Sequence, residues 1–525
     1  MDNSSGDFQS NGSGLKRHAN TVSLLLPAKQ FSLNCSWTTE RPLPAIEEFS
    51  CKLILVFDSV TPFEIREFFG LSEFEFNGLL DSLLKKRLVE IDPEGLIKAS
   101  SVLRLKSNGG QGVPTLTTYS IREENVIFDM LTLSLIPRRN YQGVKYGLPE
   151  IPPPSKFGSV NIESIVEEFG RQYRAHLDST RGGRADNTRL YKVSHCRPVR
   201  TVQVPIDMEI YLDVVPGEGV RVYRDVVERV GDIRKHALSN ELEAQVADYL
   251  ASLAIPENSF SFSFSFSDFC EAIGDEVLLN YVDSKGFDFA SWLSDRDKRK
   301  TGYGSNSTRG ILGPVYLPTN ARTIYRSLGE AAREHAEDVP NAYWYPASVP
   351  LWGASGTDLE NFVRSFENEL SSFSDRKQNL VTLFNIQDPS EIKTVKKAFN
   401  ARLPHGVSIR DGSPQDRVEI LIVPGLLAVA QYHVQPNSNS SVTVPVGQVT
   451  TDPERMEKIG RLFQSRIRAS SGSEVLWSNN SSHNESLLDE ELLGLELKPG
   501  KGISAAPSKV NKKEPVVKYR TSRER

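Results

Sequence analysis

The constraint that weighs most on this chain is a pair of short, largely apolar runs separated by two residues. Val418-Glu419-Ile420-Leu421-Ile422-Val423 is followed by Pro424-Gly425 and then by Leu426-Leu427-Ala428-Val429-Ala430. Neither run is long enough for a buried helix, and both are rich in the branched side chains that suit a pleated sheet. Pro424-Gly425 is a turn signal. The spacing predicts two central strands, a return strand through Val446-Gly447-Gln448-Val449, and an amphipathic helix over 453–467.

Two strands, a return strand and a helix in that order resemble the closing half of a phospholipase D-like domain. That family's reactive motif is His-x-Lys-x4-Asp, just ahead of the second strand. Here Arg417, Glu419 and Pro424 stand on those three roles. The resemblance therefore implies the fold without its phosphohistidine chemistry, since that chemistry needs the histidine as nucleophile. It covers 416–467 at its strictest and 259–467 at its widest.

With 525 residues, the chain is too long for a single core. The fold class expected is multidomain α/β. The divisions expected are a disordered leader over 1–20, a winged helix-turn-helix unit over 21–106, and a connector with a proline-rich linker over 107–160. A mixed α/β unit over 161–258 follows, then a phospholipase D-like α/β unit over 259–467 without its catalytic motif, and a disordered basic tail over 468–525. The tail is expected because it is rich in Ser, Asn and Lys and nearly free of aromatics.

The winged-helix expectation rests on local signals. Thr61-Pro62-Phe63-Glu64 and Ser72-Glu73-Phe74-Glu75 are capping boxes, the first with Pro at the opening helical position. Gly70 suits a left-handed helix end. Phe76, Leu79, Leu80, Leu83 and Leu84 form a helical stripe, and Arg87–Ile91, Asp92-Pro93-Glu94-Gly95 and Leu96-Ile97-Lys98 read as a hairpin. A base-reading helix carries Arg, Lys, Asn or Gln near its amino end. This one opens with Glu73 and Glu75, and its cations, Lys85, Lys86 and Arg87, sit at the far end, where they offset the helix dipole. Docking or spacing is the role expected of it.

In the middle unit, 201–215 alternates like a strand, with Val202, Val204, Ile206, Met208, Ile210 and Leu212 on one face. Asp207, Glu209 and Asp213 fall on the other. Paired carboxylates can hold a metal, but no Lys or His accompanies them, so a solvated sheet face is expected. Segment 259–267 alternates Ser and Phe, which predicts an extended strand with Phe260, Phe262, Phe264 and Phe266 on one side.

Charge is near balance, with a net value of −5, so any nucleic-acid surface must be a local patch. The densest candidate runs from Arg296 to Gly310. Arg296, Lys298, Arg299, Lys300 and Arg309 surround a single Asp297, and Gly302, Gly304 and Gly310 let backbone amides approach a phosphate. No Gly-x4-Gly-Lys-Ser/Thr motif occurs. His195-Cys196, His405 and His433 read as structural. The scattered Cys35, Cys51, Cys196 and Cys270 suggest neither zinc nor disulfides. No apolar run approaches the roughly 20 residues of a membrane span. The expectation is a cytoplasmic protein with no catalytic residues, metal or other cofactor and no membrane contact.

Winged-helix segments joined to such domains are similar to proteins of prokaryotic antiphage defence islands. That similarity implies a non-catalytic subunit or adaptor, possessing a helicase or ATPase partner and in contact with DNA or RNA. The rivals are a phosphodiesterase or nuclease with an unrecognised site, and a winged-helix transcriptional regulator.

Overall fold

The computed structural model describes residues 16–107, 115–136, 147–154, 160–181, 187–230, 234–237, 240–253, 264–284, 286–335, 340–373, 379–409, 417–437, 440, 442–468 and 473–479. Residues 1–15 of the expected leader, the tail from 480 and the glycine-rich loop over 108–114 lie outside them, as do Phe260 and Phe262; residues 17–20, expected in the leader, instead open the strand Arg17–Pro42. The fold is mixed α/β, with several sheets and two compact units. One comprises 26–143 and 152–203; the other comprises 1–25, 144–151 and 204–525. Among the described residues, no helix is long and apolar enough to cross a membrane.

In the first of these units, helices Ala45–Phe57, Pro62–Phe69 and Glu73–Lys85 pack on a three-stranded antiparallel sheet, ordered Ser59–Val60, Ile97–Ala99, Val89–Ile91. Both capping boxes form, and Gly70 closes its helix at φ 65°. Phe76, Leu79 and Leu83 are buried in the small core they share with Ile54, Ile65 and Ile97. Lys86 is held by the buried carboxylate of Glu47, which also accepts from the Ser82 hydroxyl at 2.8 Å.

The same unit holds a second layer. Ala28–Pro42 pairs antiparallel with Thr115–Asp129 without a register break. Phe31, Leu33, Cys35 and Trp37 face inward, and helix Ile162–Arg181 covers them, with Trp37 meeting Phe169 edge-on at 6.4 Å. Strand Thr188–Val215 starts well before the expected 201. Its early residues hide in the sequence because, of 188–200, only Thr188 and Cys196 are buried.

The second unit is organised by an eight-stranded mixed sheet. Its order is Thr308–Leu312, Val444–Thr450, Leu427–Val434, Val418–Val423, Ala342–Tyr345, Leu380–Asn385, His405–Ile409, Ser473–Ser478. The two apolar runs form the expected hairpin, with Val418 paired to Tyr432 and Val423 to Leu427. Ile420 and Ile422 enter one core with helices Phe266–Ile273 and Pro453–Arg468, while Leu421 and Val423 enter another with Thr357–Ser372. A sheet covered on both faces needs apolar side chains in both directions, which is why these strands read as continuous rather than alternating.

Three expectations are corrected here. The Ser-Phe alternation does not continue as a strand: Ser265 caps a helix starting at Phe266, with Asp268 completing a capping box. The tail contains strand Ser473–Ser478, anchored by Trp477, whose ring lies 5.6 Å from Phe384 and whose N–H donates to Leu403 O at 2.9 Å. Asp207 and Asp213 are not on a solvated face. Both are buried; Asp207 accepts from Ser23 Oγ at 2.6 Å and Asp213 lies 4.0 Å from Arg17.

Candidate nucleic-acid interface

Helix Phe289–Asp297 carries the cationic stretch out of the second unit's core. Asp288 caps it, accepting from the Ser291 N–H at 3.0 Å, and Phe289, Trp292 and Leu293 are buried. Beyond the helix the chain turns sharply. Arg299 adopts φ 55°, and the Lys300 N–H returns to Asp295 O at 2.8 Å. This turn exposes Lys298, Arg299 and Lys300 side by side. Lys298 lies 3.9 Å from Asp295; Arg299 and Lys300 have no ion-pair partner among the described residues.

The other two expected cations have different positions. Arg296 lies one helical turn beyond Trp292 and turns inward. Its guanidinium sits 5.3 Å from the Trp292 ring and donates to Gly310 O at 3.2 Å, and burial lowers its pKa. It braces the loop. Arg309 is on the edge strand Thr308–Leu312, with Nη2 3.9 Å from Glu330 and a buried Nη1 without a hydrogen-bond partner.

Between them, 301–310 lines a cavity of about 420 Å³ to which Gly302, Gly304, Ser305, Asn306 and Arg309 contribute. An adjoining cavity of about 310 Å³ is bounded by Trp292, Arg296, Arg299 and Tyr303. Glycine backbone, hydroxyls and a guanidinium around such spaces suit an oxyanion. One side chain anchors the loop. The Tyr303 hydroxyl donates to Asp275 Oδ2 at 2.8 Å, and Arg455 lies 5.3 Å over the ring while donating to Gly274 O at 3.0 Å. Burial raises the Asp275 pKa, against the hydrogen bonds from Leu278 and Tyr303; burial and the Asp275 charge raise Tyr303 well above its ordinary value.

A carboxyl with a raised folded-state pKa binds a proton that the unfolded chain has already released. Its contribution is complete below the ordinary carboxylate range and is lost as pH climbs through the raised value. Asp275→Asn retains an acceptor for the Leu278 N–H and removes the titration. The variant is expected to lose less stability than the native chain as pH rises from the ordinary carboxylate range. The difference in slope should not exceed about 1.4 kcal/mol per pH unit, one proton's worth. Urea unfolding at a series of pH values measures it, and parallel curves would contradict the assignment.

A second polar cluster lies inside the sheet. His433 Nε2 is 2.6 Å from Glu419 Oε2, His433 Nδ1 is 3.2 Å from Thr443 Oγ1, and the Trp344 indole N–H donates to Glu419 Oε1 at 2.9 Å. All four residues are buried. His433 is thus not an isolated histidine. Glu419, which stands on the lysine role of the resembled motif, is its partner, and the pair is closed to solvent. The sequence offered one signal: a lone acid inside an apolar strand needs a buried partner.

His405 lies between Asn379, at 3.2 Å, and Ser478, at 3.0 Å. His195 is exposed, whereas neighbouring Cys196 is buried, which raises its thiol pKa. Among the described residues, no group of three His, Cys, Asp or Glu side chains is placed to hold a metal.

No family profile and no curated protein matches the chain. Among solved structures, it is similar to TrmBL2, an archaeal chromatin protein described with a novel mode of DNA binding. The match has 8% identity, covers 81% of this chain and 93% of that one, and has a TM-score of 0.18. At that score the likeness carries no argument about fold or binding.

Proposed function

We propose that the chain is a non-catalytic subunit or adaptor that holds nucleic acid by its phosphates and works with a helicase, ATPase or nuclease encoded elsewhere. The setting expected from the resemblance is antiphage defence. The observation carrying this reading is the turn Lys298-Arg299-Lys300. It presents three exposed cations beside a glycine-lined cavity that Arg309 also enters. Such a surface contacts phosphates rather than base edges, so binding is sequence-tolerant and salt-sensitive.

The remaining units fit around that role. The 416–467 segment is read as the closing half of a phospholipase D-like fold with Glu419 and His433 joined in its interior. The 45–99 elements are read as a winged helix used for docking. Glu73 and Glu75 are exposed at the start of its second helix, Phe74 is 87% exposed, and Phe49, Phe57, Phe63 and Phe68 are also exposed. Acids and bare phenylalanines suit a protein partner better than a phosphate backbone.

Replacing Lys298, Arg299 and Lys300 together by Ala is expected to weaken binding by a similar factor for every DNA or RNA sequence. The slope of log affinity against log salt should fall by up to about three contacts' worth. Titrations of labelled strands at several salt concentrations measure both. Binding confined to one duplex sequence and lost with Lys85 and Lys86 would favour the regulator. A phosphodiester hydrolysis by the native chain that His433→Ala abolishes would favour the enzyme.

A further inference from the structure

The layer covered by helix Ile162–Arg181 has an opposite face that none of the preceding roles uses. On Ala28–Pro42, Phe31, Leu33, Cys35 and Trp37 point to the helix, so Asn34, Ser36 and Thr38 point away from it. Their partners on Thr115–Asp129 share their side of the sheet: Ile121 lies opposite Ser36 and Tyr119 opposite Thr38. Thr188–Val215 flanks the other edge, where the Thr38 hydroxyl donates to Arg189 O at 3.3 Å. The Tyr119 and Tyr191 rings meet edge-to-face, with centroids 5.8 Å apart. Tyr119 is 69% exposed, Tyr191 66% and Ile121 77%. Helix Ile162–Arg181 buries one side of the sheet with aromatics, and this side displays them.

The cations of this surface lie along one strand, while Glu40 and Glu123 share the open face on the two strands beside it. Residues 188–206 include Arg189, Lys192, Arg197 and Arg200 and contain no Asp or Glu. Arg197 lies 3.3 Å from Glu123, and the Arg200 side chain donates to Gln30 at 2.8 Å. Arg189 and Lys192 are exposed and have no ion-pair partner among the described residues. Exposed flat rings beside a basic strand complement unpaired bases joined by phosphates: every base has a π-face to stack, and the backbone needs cations. A duplex keeps its base faces within its own stack, and a protein partner would not call for a strand of uniform sign.

We propose that this open sheet face binds a single strand of nucleic acid. Bases stack on Tyr119 and Tyr191 with Ile121 as an apolar floor, and the phosphates run past Arg189. The site is separate from the Lys298–Lys300 turn and stands or falls independently of it.

The test uses the full chain with labelled oligothymidylate, oligouridylate and a DNA duplex. Tyr119→Ala/Tyr191→Ala is expected to weaken single-strand binding by roughly tenfold per ring and to leave duplex binding unchanged. Tyr119→Phe/Tyr191→Phe keeps both π-faces and should bind nearly as the native chain does, whereas the double Leu variant, apolar but without a ring, should behave like the Ala variant. Arg189→Ala should reduce the salt slope for single strands by up to about one contact. The Lys298/Arg299/Lys300 triple variant should weaken duplex and single strand alike. Equal single-strand affinity in the native and double-Ala chains overturns the proposal, as does an absence of single-strand binding by the native chain. A native dimer that the double-Ala change dissociates, seen by sedimentation, would assign this face to a second copy instead.

Discussion

His433→Ala is expected to destabilise the second unit by about 1–3 kcal/mol or more, because it leaves the buried Glu419 carboxyl without its nearest hydrogen-bonding partner. Glu419 is 1% exposed and has two side-chain partners among the described residues, His433 at 2.6 Å and the Trp344 indole at 2.9 Å. Without the imidazole, its carboxyl keeps the indole as its side-chain partner among the described residues. Glu419→Ala should also be costly, since it leaves the His433 ring nitrogen and the Trp344 N–H without their acceptor. The double replacement Glu419→Met/His433→Leu should recover part of the loss, because the two polar groups are exchanged together for apolar ones while the Trp344 N–H still lacks its acceptor. Denaturant unfolding of the two single variants and the double variant supplies the cycle. A His433→Ala loss below about 1 kcal/mol would mean that water reaches Glu419 and that the pair is not sealed.

Gly447→Ala is the second large effect. Gly447 lies in Val444–Thr450, paired with Gln431 on one side and Ile311 on the other. A Cβ placed there would stand 1.9 Å from the Ala430 carbonyl oxygen and 2.7 Å from the Gln431 Cα. Both obstacles are backbone of the neighbouring central strand, so relief requires the ladder to open. Overpacking in a core costs about 1–3 kcal/mol, occasionally more, and this position belongs at the upper end. Gly310→Ala is the control. Its Cβ would meet the Tyr303 ring edge at 3.3 Å, relieved by a small ring shift, and Arg296 Nη1 at an ordinary contact distance of 3.7 Å. Comparing the unfolding midpoints of the two variants tests the contrast, and equal midpoints would falsify the strand-interior account.

What was legible in the sequence was mostly local. The capping boxes at Thr61 and Ser72, the left-handed Gly70 and the stripe Phe76–Leu83 all act within a few residues, and the corresponding helices are where the spacing puts them. The Val418–Val423 and Leu427–Val434 strands were visible because a doubly covered sheet leaves a continuous apolar signature. The Ser265–Asp268 capping box was overlooked because the Ser-Phe alternation dominated the segment, although Ser-x-x-Asp is itself a helix-start signal. Glu419 and His433 are 14 residues apart in sequence, and only the hairpin register brings them together.

In the cationic stretch, residue type alone did not separate outward from inward. Lys298, Arg299 and Lys300 are exposed by a turn that needs Arg299 at positive φ, which no motif announces. Arg296 faces inward because it follows Trp292 by one helical turn, and that four-residue spacing was readable. The buried setting of Asp207 depends on Ser23, which is 184 residues away.

That last distance bears on how the protein emerges from the ribosome. Ser23 also accepts from the Gly356 N–H, 333 residues further along, and its own N–H donates to Ala354 O. At about 5–20 residues translated per second, on the order of 20–70 s pass between the appearance of Ser23 and that of its last partner. Through that interval the Ser23 N–H waits for its acceptor, while Ala28–Pro42 already has Thr115–Asp129 to pair with. A chain interrupted before residue 354 would leave only the opening residues of that strand, around Ser23, without their late partners and open to neighbouring nascent chains.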